Sequence, residues 1–345
     1  MNDKVIKFKS KTSNLHHNIF KIRTMTEILP ISPQKWLVVV NPNAGNKKGE
    51  KEWPRICRYL QQQGFDTQCV FTTGRNHAIS LTSEHIKEGY RNIAVVGGDG
   101  TLNEVLNGIF LQQAVQPTDI LLGMIPVGTG NDWCRMFAIP FDYKKAVNVL
   151  RQKRPFIQDV GQVSYYKHDQ LQIRYFMNVA GMGYDALVAK RTNLLKEQGK
   201  GNPLAYLYFV FASLFQYKFA EGVIEMDNKI IFRGDIFSMN AGICRFSGGG
   251  MKQVPNAIPD DGLFDFTLIR KATKWMVVRY ANRLYSGKLA DIPIVSMHQG
   301  KTIRIRSTGR IYLEADGESL GHTPFVYEII PRSLKVIVGP EFTNR

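Results

Sequence analysis

The chain has 345 residues, 44% hydrophobic and 21% charged, a globular composition long enough for two cores, and it holds no run of about 20 apolar residues that would predict a membrane span. Its 45 Lys and Arg outnumber 29 Asp and Glu for a net charge of +16, either a general basicity or a field that draws nucleic acid, an anionic membrane surface or phosphorylated substrates. Cys57, Cys69, Cys134 and Cys244 are scattered without Cys-x-x-Cys spacing, which points to neither a zinc site nor a disulfide framework and fits a reducing cytoplasm.

Residues 1–34 are basic, with Lys4, Lys7, Lys9, Lys11, Lys21 and Arg23 against Asp3 and Glu27, and sparse in apolar residues. They read as a disordered extension or as an anchor for anionic lipid, and they lack the compact apolar stretch of a secretory signal. From Trp36 the pattern alternates. Strands are predicted at Trp36–Val40, Thr67–Thr72, Ile93–Val96 and Ile120–Ile125, with helices at about Gly49–Gln63, Ala78–Gly89, Thr101–Phe110 and Tyr143–Arg151. Short strands separated by helices predict βαβ units and a parallel sheet, with ligands at the carboxyl ends of its strands.

After about Pro155 the texture changes. Strands are predicted at Gln172–Val179, Val223–Met226, Lys229–Asn240, Leu263–Ile269, Thr302–Arg306, Arg310–Ala315, Phe325–Ile330 and Leu334–Val338, with Asp227-Asn228 as a hairpin turn. Helices are predicted at Pro203–Phe219 and Lys274–Ser286. The expected organisation is an extension over 1–34, an α/β domain over 35–155, and a mainly antiparallel, sandwich-like domain over 156–345 whose last residues return to the first.

Gly97-Gly98-Asp99-Gly100-Thr101 follows the apolar run 93–96 and precedes a helix. Glycines allow close backbone approach, and a helix N-terminus presents N–H groups and partial positive charge to an anion. Asp99 suits a phosphate only with a metal ion or cationic partner between them. Glu104, on the following helix, either caps backbone N–H groups or orients a cation. Asn41-Pro42-Asn43-Ala44-Gly45 closes the first strand. Pro126-Val127-Gly128-Thr129-Gly130-Asn131-Asp132 closes another, with backbone donors, a hydroxyl, an amide and a carboxylate.

These three motifs, in this order, resemble the diacylglycerol kinase catalytic-domain family of lipid kinases, which shares its nucleotide fold with NAD kinases and 6-phosphofructokinases. The resemblance runs from Trp36 to Val338. It takes in Asn178-Val179-Ala180-Gly181-Met182-Gly183-Tyr184-Asp185, Gly248-Gly249-Gly250, Pro259-Asp260-Asp261-Gly262-Leu263-Phe264-Asp265 and Glu314-Ala315-Asp316-Gly317-Glu318. It implies an ATP- and Mg²⁺-dependent kinase that phosphorylates a lipid hydroxyl of diacylglycerol or sphingoid type. It further implies a nucleotide site at Asn41, Thr72, Gly97, Gly98, Asp99, Gly100, Thr101, Glu104, Gly128, Thr129, Asn131 and Asp132. By position a structural Mg²⁺ falls to Asp261, with carbonyls of Phe264 and Phe266. Asp316 becomes the proposed base, with Glu318 to orient it or share the metal, and Asp99 is the rival base. At Thr72-Thr73-Gly74-Arg75-Asn76-His77-Ala78 the chain departs from the family's usual Gly-His-Ala.

The implied setting is cytoplasmic, peripheral to the inner face of the membrane, with a lipid substrate, an anionic surface, no nucleic acid and room for a homodimer. Pro203–Phe219 reads either as a core helix or as a wall of an acyl-chain pocket. The helix bearing Lys274, Arg279 and Arg283 beside Trp275, Met276 and Tyr280 reads either as a solvated face or as a membrane contact. The alternatives are an NAD kinase, against which the first and third motifs speak, and a non-enzymatic nucleotide-sensing or nucleic-acid-binding protein.

Overall fold

The computed structural model describes residues 31–32, 34–197, 212–217 and 219–344. The expected extension over 1–34 lies almost entirely outside the described residues; of the helix expected over Pro203–Phe219, residues 203–211 and 218 lie outside them and 212–216 are helical.

Four apolar strands build the first layer: β1 (Trp36–Val40), β2 (Thr67–Phe71), β3 (Asn92–Gly97) and β4 (Leu121–Pro126). They pair in parallel in the order β2-β1-β3-β4. β1 and β3 are buried at every position, as continuous Val/Ile/Leu runs covered on both faces should be. The crossovers are α1 (Ala44–Gln62), α2 (His77–Glu88) and α3 (Asp99–Leu111). α1 is non-helical at Gly45, Asn46 and Lys47, all at positive φ, so regular helix starts near the expected Gly49. α3 starts two residues before the expected Thr101, which makes Asp99 its first residue. α4 (Asp132–Met136), not expected, and α5 (Tyr143–Gln152) complete this half.

The second half is antiparallel. It contains β5 (Pro155–Lys167), β6 (Gln170–Phe176), β7 (Val179–Gly183), α6 (Tyr184–Glu197), β8 (Ala220–Met226), β9 (Lys229–Gly242), β10 (Phe264–Arg270), α7 (Lys274–Ser286), β11 (Val295–Gly300), β12 (Thr302–Ser307), β13 (Tyr312–Ala315) and β14 (Glu318–Ile337). At the β8–β9 turn Asp227 and Asn228 both have positive φ, the geometry of a two-residue type I′ hairpin.

Two differences from the expected strands have local causes. The strand expected over 172–179 breaks at Met177-Asn178, because both N–H groups donate to the Asp316 carboxylate and not to a ladder. The strands expected at 325–330 and 334–338 are one strand, β14, with a register shift between Ile330 and Leu334. Pro331 there has no N–H, and the Arg332 N–H turns to Asp159. The end of β14 then pairs in parallel with β4, Lys335 opposite Leu121. One sheet order, β11-β10-β9-β7-β13-β14-β4-β3-β1-β2, therefore joins the two halves.

Candidate active site

The carboxyl ends of β1, β3 and β4 lie side by side, with Val40 opposite Val96 and Gly97 opposite Pro126. The three loops that leave them touch. Asn41 Nδ2 donates to Thr101 Oγ1 at 2.8 Å, which ties the first loop to the second. A methyl group on Gly128 would stand 2.6 Å from the Gly98 Cα, so the second and third loops meet backbone to backbone and only glycine fits. The structure thus places Asn41, Gly97, Gly98, Asp99, Gly100, Thr101, Gly128, Thr129, Asn131 and Asp132 on adjoining loops at the carboxyl ends of these strands. Thr72 follows β2, the outer strand of this sheet, and its N–H donates to the Val40 carbonyl at 2.9 Å.

Asp99 accepts from the N–H groups of Asp132 (3.0 Å) and Trp133 (3.3 Å). It thereby caps α4, whose own N-cap Asn131 makes no such bond. Burial, and then the charge of Asp132, raise the Asp99 pKa to about 7 despite those two donors. Asp132 spends its oxygens on the N–H groups of Gly249 (2.7 Å) and Gly250 (2.6 Å) and pairs with Arg135 at 3.6 Å. It fastens a loop of the second half onto the third glycine loop.

Glu104 resolves as a cap, but of a neighbouring helix. Its oxygens accept from the N–H groups of Asn76 (2.7 Å) and Ala78 (3.1 Å) at the start of α2. The departure from the family pattern at Asn76 falls in this turn, where Asn76 adopts φ 63°, a left-handed conformation that asparagine tolerates.

Asp316 and Gly317 form the β13–β14 hairpin, both at positive φ, so the turn and a placed carboxylate coexist. Asp316 is 6% exposed and its oxygens accept four hydrogen bonds. These come from Asn103 Nδ2 (2.8 Å) and from the N–H groups of Met177 (3.0 Å), Asn178 (3.0 Å) and Val179 (3.2 Å). Burial raises its pKa, and these donors oppose the rise. Asn103 in turn accepts from Arg174 Nε at 2.8 Å, while Asn107 bonds the Tyr175 backbone through both its donor and its acceptor. Glu318 pairs with Arg75 at 2.8 Å, and its Oε1 fills the space over Gly100, 2.7 Å from where a side chain there would begin.

The residues of the expected metal set lie in and just after one turn of the second half. Asp261 lies in the turn before β10, where Oδ1 accepts the Leu263 N–H at 3.0 Å. Phe264 and Phe266 are buried ladder residues opposite Gly300 and His298. The neighbouring Asp159 spends its oxygens on the Gly262 and Arg332 N–H groups. Among the described residues no three His, Cys, Asp or Glu side chains converge as a metal centre.

Beyond Asp316 the second half opens an apolar crevice of about 640 Å³ including its mouth. Met276, Val277, Tyr280 and Leu284 of α7 form one wall, and Ile269 and Ile294 form part of the other. Asp185, Ser238, Asn240 and Gln253 lie at a polar patch of its lining. Ser238 and Asn240 donate to Asp185, while Asn240 Oδ1 and Gln253 Oε1 are buried and unpartnered. The expected site residues did not include these, although Asp185 lies in the 178–185 motif and Arg75 in the 72–78 motif, and Arg174 and Asn107 were not singled out at all. The available signal was polar residues at inward positions of apolar strands, Asn240 in β9 and Thr267 in β10.

Glu314, between Asp316 and this crevice, is buried, and burial raises its pKa to about 8. A side chain on Gly181 would begin 2.8 Å from Glu314 Oε1 and 2.7 Å from Asn240 Oδ1, so only glycine fits beneath these two side chains. An acid with a raised folded pKa contributes stability below its unfolded pKa and loses it as pH rises through the folded value. Glu314→Gln should therefore melt within about 2 °C of wild type at pH 6 and above it at pH 9. Thermal melts across pH check this; equal melting offsets at both pH values would contradict it.

The sequence model of the diacylglycerol kinase catalytic domain matches residues 35–163, and that of the YegS C-terminal NAD kinase beta sandwich-like domain matches 178–338. The chain is 30% identical over 307 residues to a diacylglycerol kinase of Staphylococcus haemolyticus, covering 89% of both chains. It is 29% identical to one of Staphylococcus aureus, covering 89% of this chain and 93% of that one. Among solved structures, a diacylglycerol kinase from Bacillus anthracis superposes with a TM-score of 0.65 at 21% identity, covering 90% of this chain and 98% of that one. Yeast NADH kinase, complexed with NADH, superposes at 0.51 and 12% identity, covering 90% and 85%; at these identities the likeness is one of fold. Matched in both halves and along nine-tenths of its length, the chain belongs to the diacylglycerol kinase family of lipid kinases.

Proposed function

We propose that this protein transfers the γ-phosphate of ATP to the hydroxyl of a membrane lipid of diacylglycerol or sphingoid type. The observation that carries the reading is the joining of two sites by one sheet. Three glycine loops suited to phosphates lie on one side of Asp316, and an apolar crevice with buried, unpartnered oxygens lies on the other. Such oxygens favour a ligand that brings hydrogen-bond donors on an apolar body.

Phosphoryl transfer is mostly positioning and charge neutralisation. The backbone N–H groups of the loops, with the N-terminus of α3, would cradle the phosphates. A divalent cation fits the residues present. Asn131 Oδ1 is a buried oxygen without a donor and Glu318 Oε1 overhangs the α3 N-terminus; both are hard oxygen ligands that would hold Mg²⁺. Mg²⁺ so held would offset charge on the phosphate oxygens.

The acceptor oxygen forms its bond to the γ-phosphorus, the bond to the bridging oxygen of ADP breaks, and the hydroxyl proton passes to a carboxylate. A carboxylate offers about four lone-pair sites. All four of Asp316 are filled, whereas Asp99 has two filled and a pKa about 7, the value a general base needs near neutrality. We therefore assign the proton to Asp99 and give Asp316 a positioning role: it holds the 177–179 backbone and Asn103 where the two halves meet. The test is phosphorylation of a micelle-borne lipid panel from γ-labelled ATP and Mg²⁺. Labelling of at least one lipid supports the reading, and labelling of none overturns it.

A further inference from the structure

α7 walls the crevice with one face and leaves the other bare. None of its thirteen residues is buried. Trp275 is 72% exposed, and Val278 and Tyr285 on the same outward stripe are 47% and 56% exposed. Phe215, from the neighbouring described segment, is 67% exposed, with Lys274 Nζ 4.4 Å from its ring centroid. From Arg270 to Ala290 there are six basic residues and no acidic one. Asp291 takes Arg283 and Asp235 takes Lys271; Lys274, Arg279 and Lys288 have no carboxylate within ion-pair distance among the described residues.

We propose that the outer face of α7, with Phe215, is a docking surface for an anionic lipid membrane. Basic residues interleaved with Trp and Tyr on an amphipathic helix are the chemistry of the headgroup layer, where cations meet acidic lipids and aromatic rings sit at the boundary. The position matters as much as the composition. The inward residues of the same helix, Met276, Val277 and Tyr280, line the crevice, so docking sets the crevice beneath the membrane surface that holds its acceptor. This rests on the lipid-acceptor reading for its purpose, but its test does not need catalysis.

Trp36 and Trp133 are buried, Trp53 is half-buried against Phe71 and Trp275 is 72% exposed, so the difference between wild type and Trp275→Phe isolates the Trp275 signal. Without ATP, the full chain is titrated with neutral phosphatidylcholine vesicles and with vesicles containing about 30 mol% phosphatidylglycerol. Binding to the anionic vesicles only, a blue shift absent from Trp275→Phe, and quenching by brominated acyl chains are expected. Lys274→Glu with Arg279→Glu should weaken vesicle binding by about tenfold or more, while turnover of a short-chain acceptor in detergent solution stays at the wild-type rate. Should the double variant fold poorly, the Trp275→Phe comparison alone still decides. No vesicle binding, an unshifted Trp275, or equal binding by the charge-reversed variant would overturn the proposal, as would tighter binding to RNA than to anionic vesicles. A protein that binds vesicles but phosphorylates no lipid would overturn the kinase reading and leave this surface standing.

Discussion

Asp99→Asn is expected to lower phosphoryl transfer by about 10²–10⁴-fold, the usual weight of a general base, with the fold intact. Asparagine keeps one oxygen for the α4 N–H groups and loses the other, so about 1–2 kcal/mol of stability should go with it. The pH profile separates this from a structural effect. The base works deprotonated, so wild-type kcat/KM should rise with pH through about 7 and then level off, following the Asp99 pKa set by burial and by Asp132. The residual activity of Asp99→Asn should lack that limb. Stability runs the other way. A carboxyl whose folded pKa is raised contributes stability below its unfolded pKa and loses it as pH rises toward about 7, so the variant should also show a shallower loss of stability across that window.

Asp316→Asn should be the most destabilising single substitution in the site. One oxygen accepts from the N–H groups of Asn178 and Val179 and the other from the Met177 N–H and the Asn103 amide, and an asparagine amide can accept on only one of the two sides. Asparagine accepts the left-handed φ of 49° at this position, so the backbone is not the cause. Leaving buried donors unpaired costs about 3–5 kcal/mol in sum, a drop in Tm on the order of 10 °C for a body of this size. Activity should fall together with stability, because the break between β6 and β7 and the Asn103 contact both lose their anchor. Circular dichroism melts check the first effect. A variant that melts with wild type, yet loses transfer and the pH limb, would make Asp316 the base.

What could be read from the sequence was whatever local pattern encodes. β1, β3 and β4 are apolar runs closed by glycine turns, α7 starts and ends where its Thr273 cap and Gly287 place it, and Asp227-Asn228 declares its hairpin. The three phosphate loops could be listed because each is contiguous. Their convergence followed from the rule for parallel sheets. What stayed hidden was long-range pairing of polar groups. Nothing near Glu104 says that it caps α2 across 28 residues, and nothing near Asp132 says that it holds Gly249 and Gly250 more than a hundred residues later. The same holds for Asp316, whose partners lie at 103 and 177–179 and whose filled lone pairs are the reason the base is proposed to be Asp99.

In the function proposed, one cleft joins nucleotide loops to a lipid acceptor. The most direct test is a competition in one vessel, with γ-labelled ATP, Mg²⁺, NAD and mixed micelles of diacylglycerol, monoacylglycerol, ceramide and a sphingoid base, followed by separation of labelled products. Label on a lipid, with none on NAD and none from Asp99→Asn, is the expected result. Label on NAD with none on any lipid would contradict it.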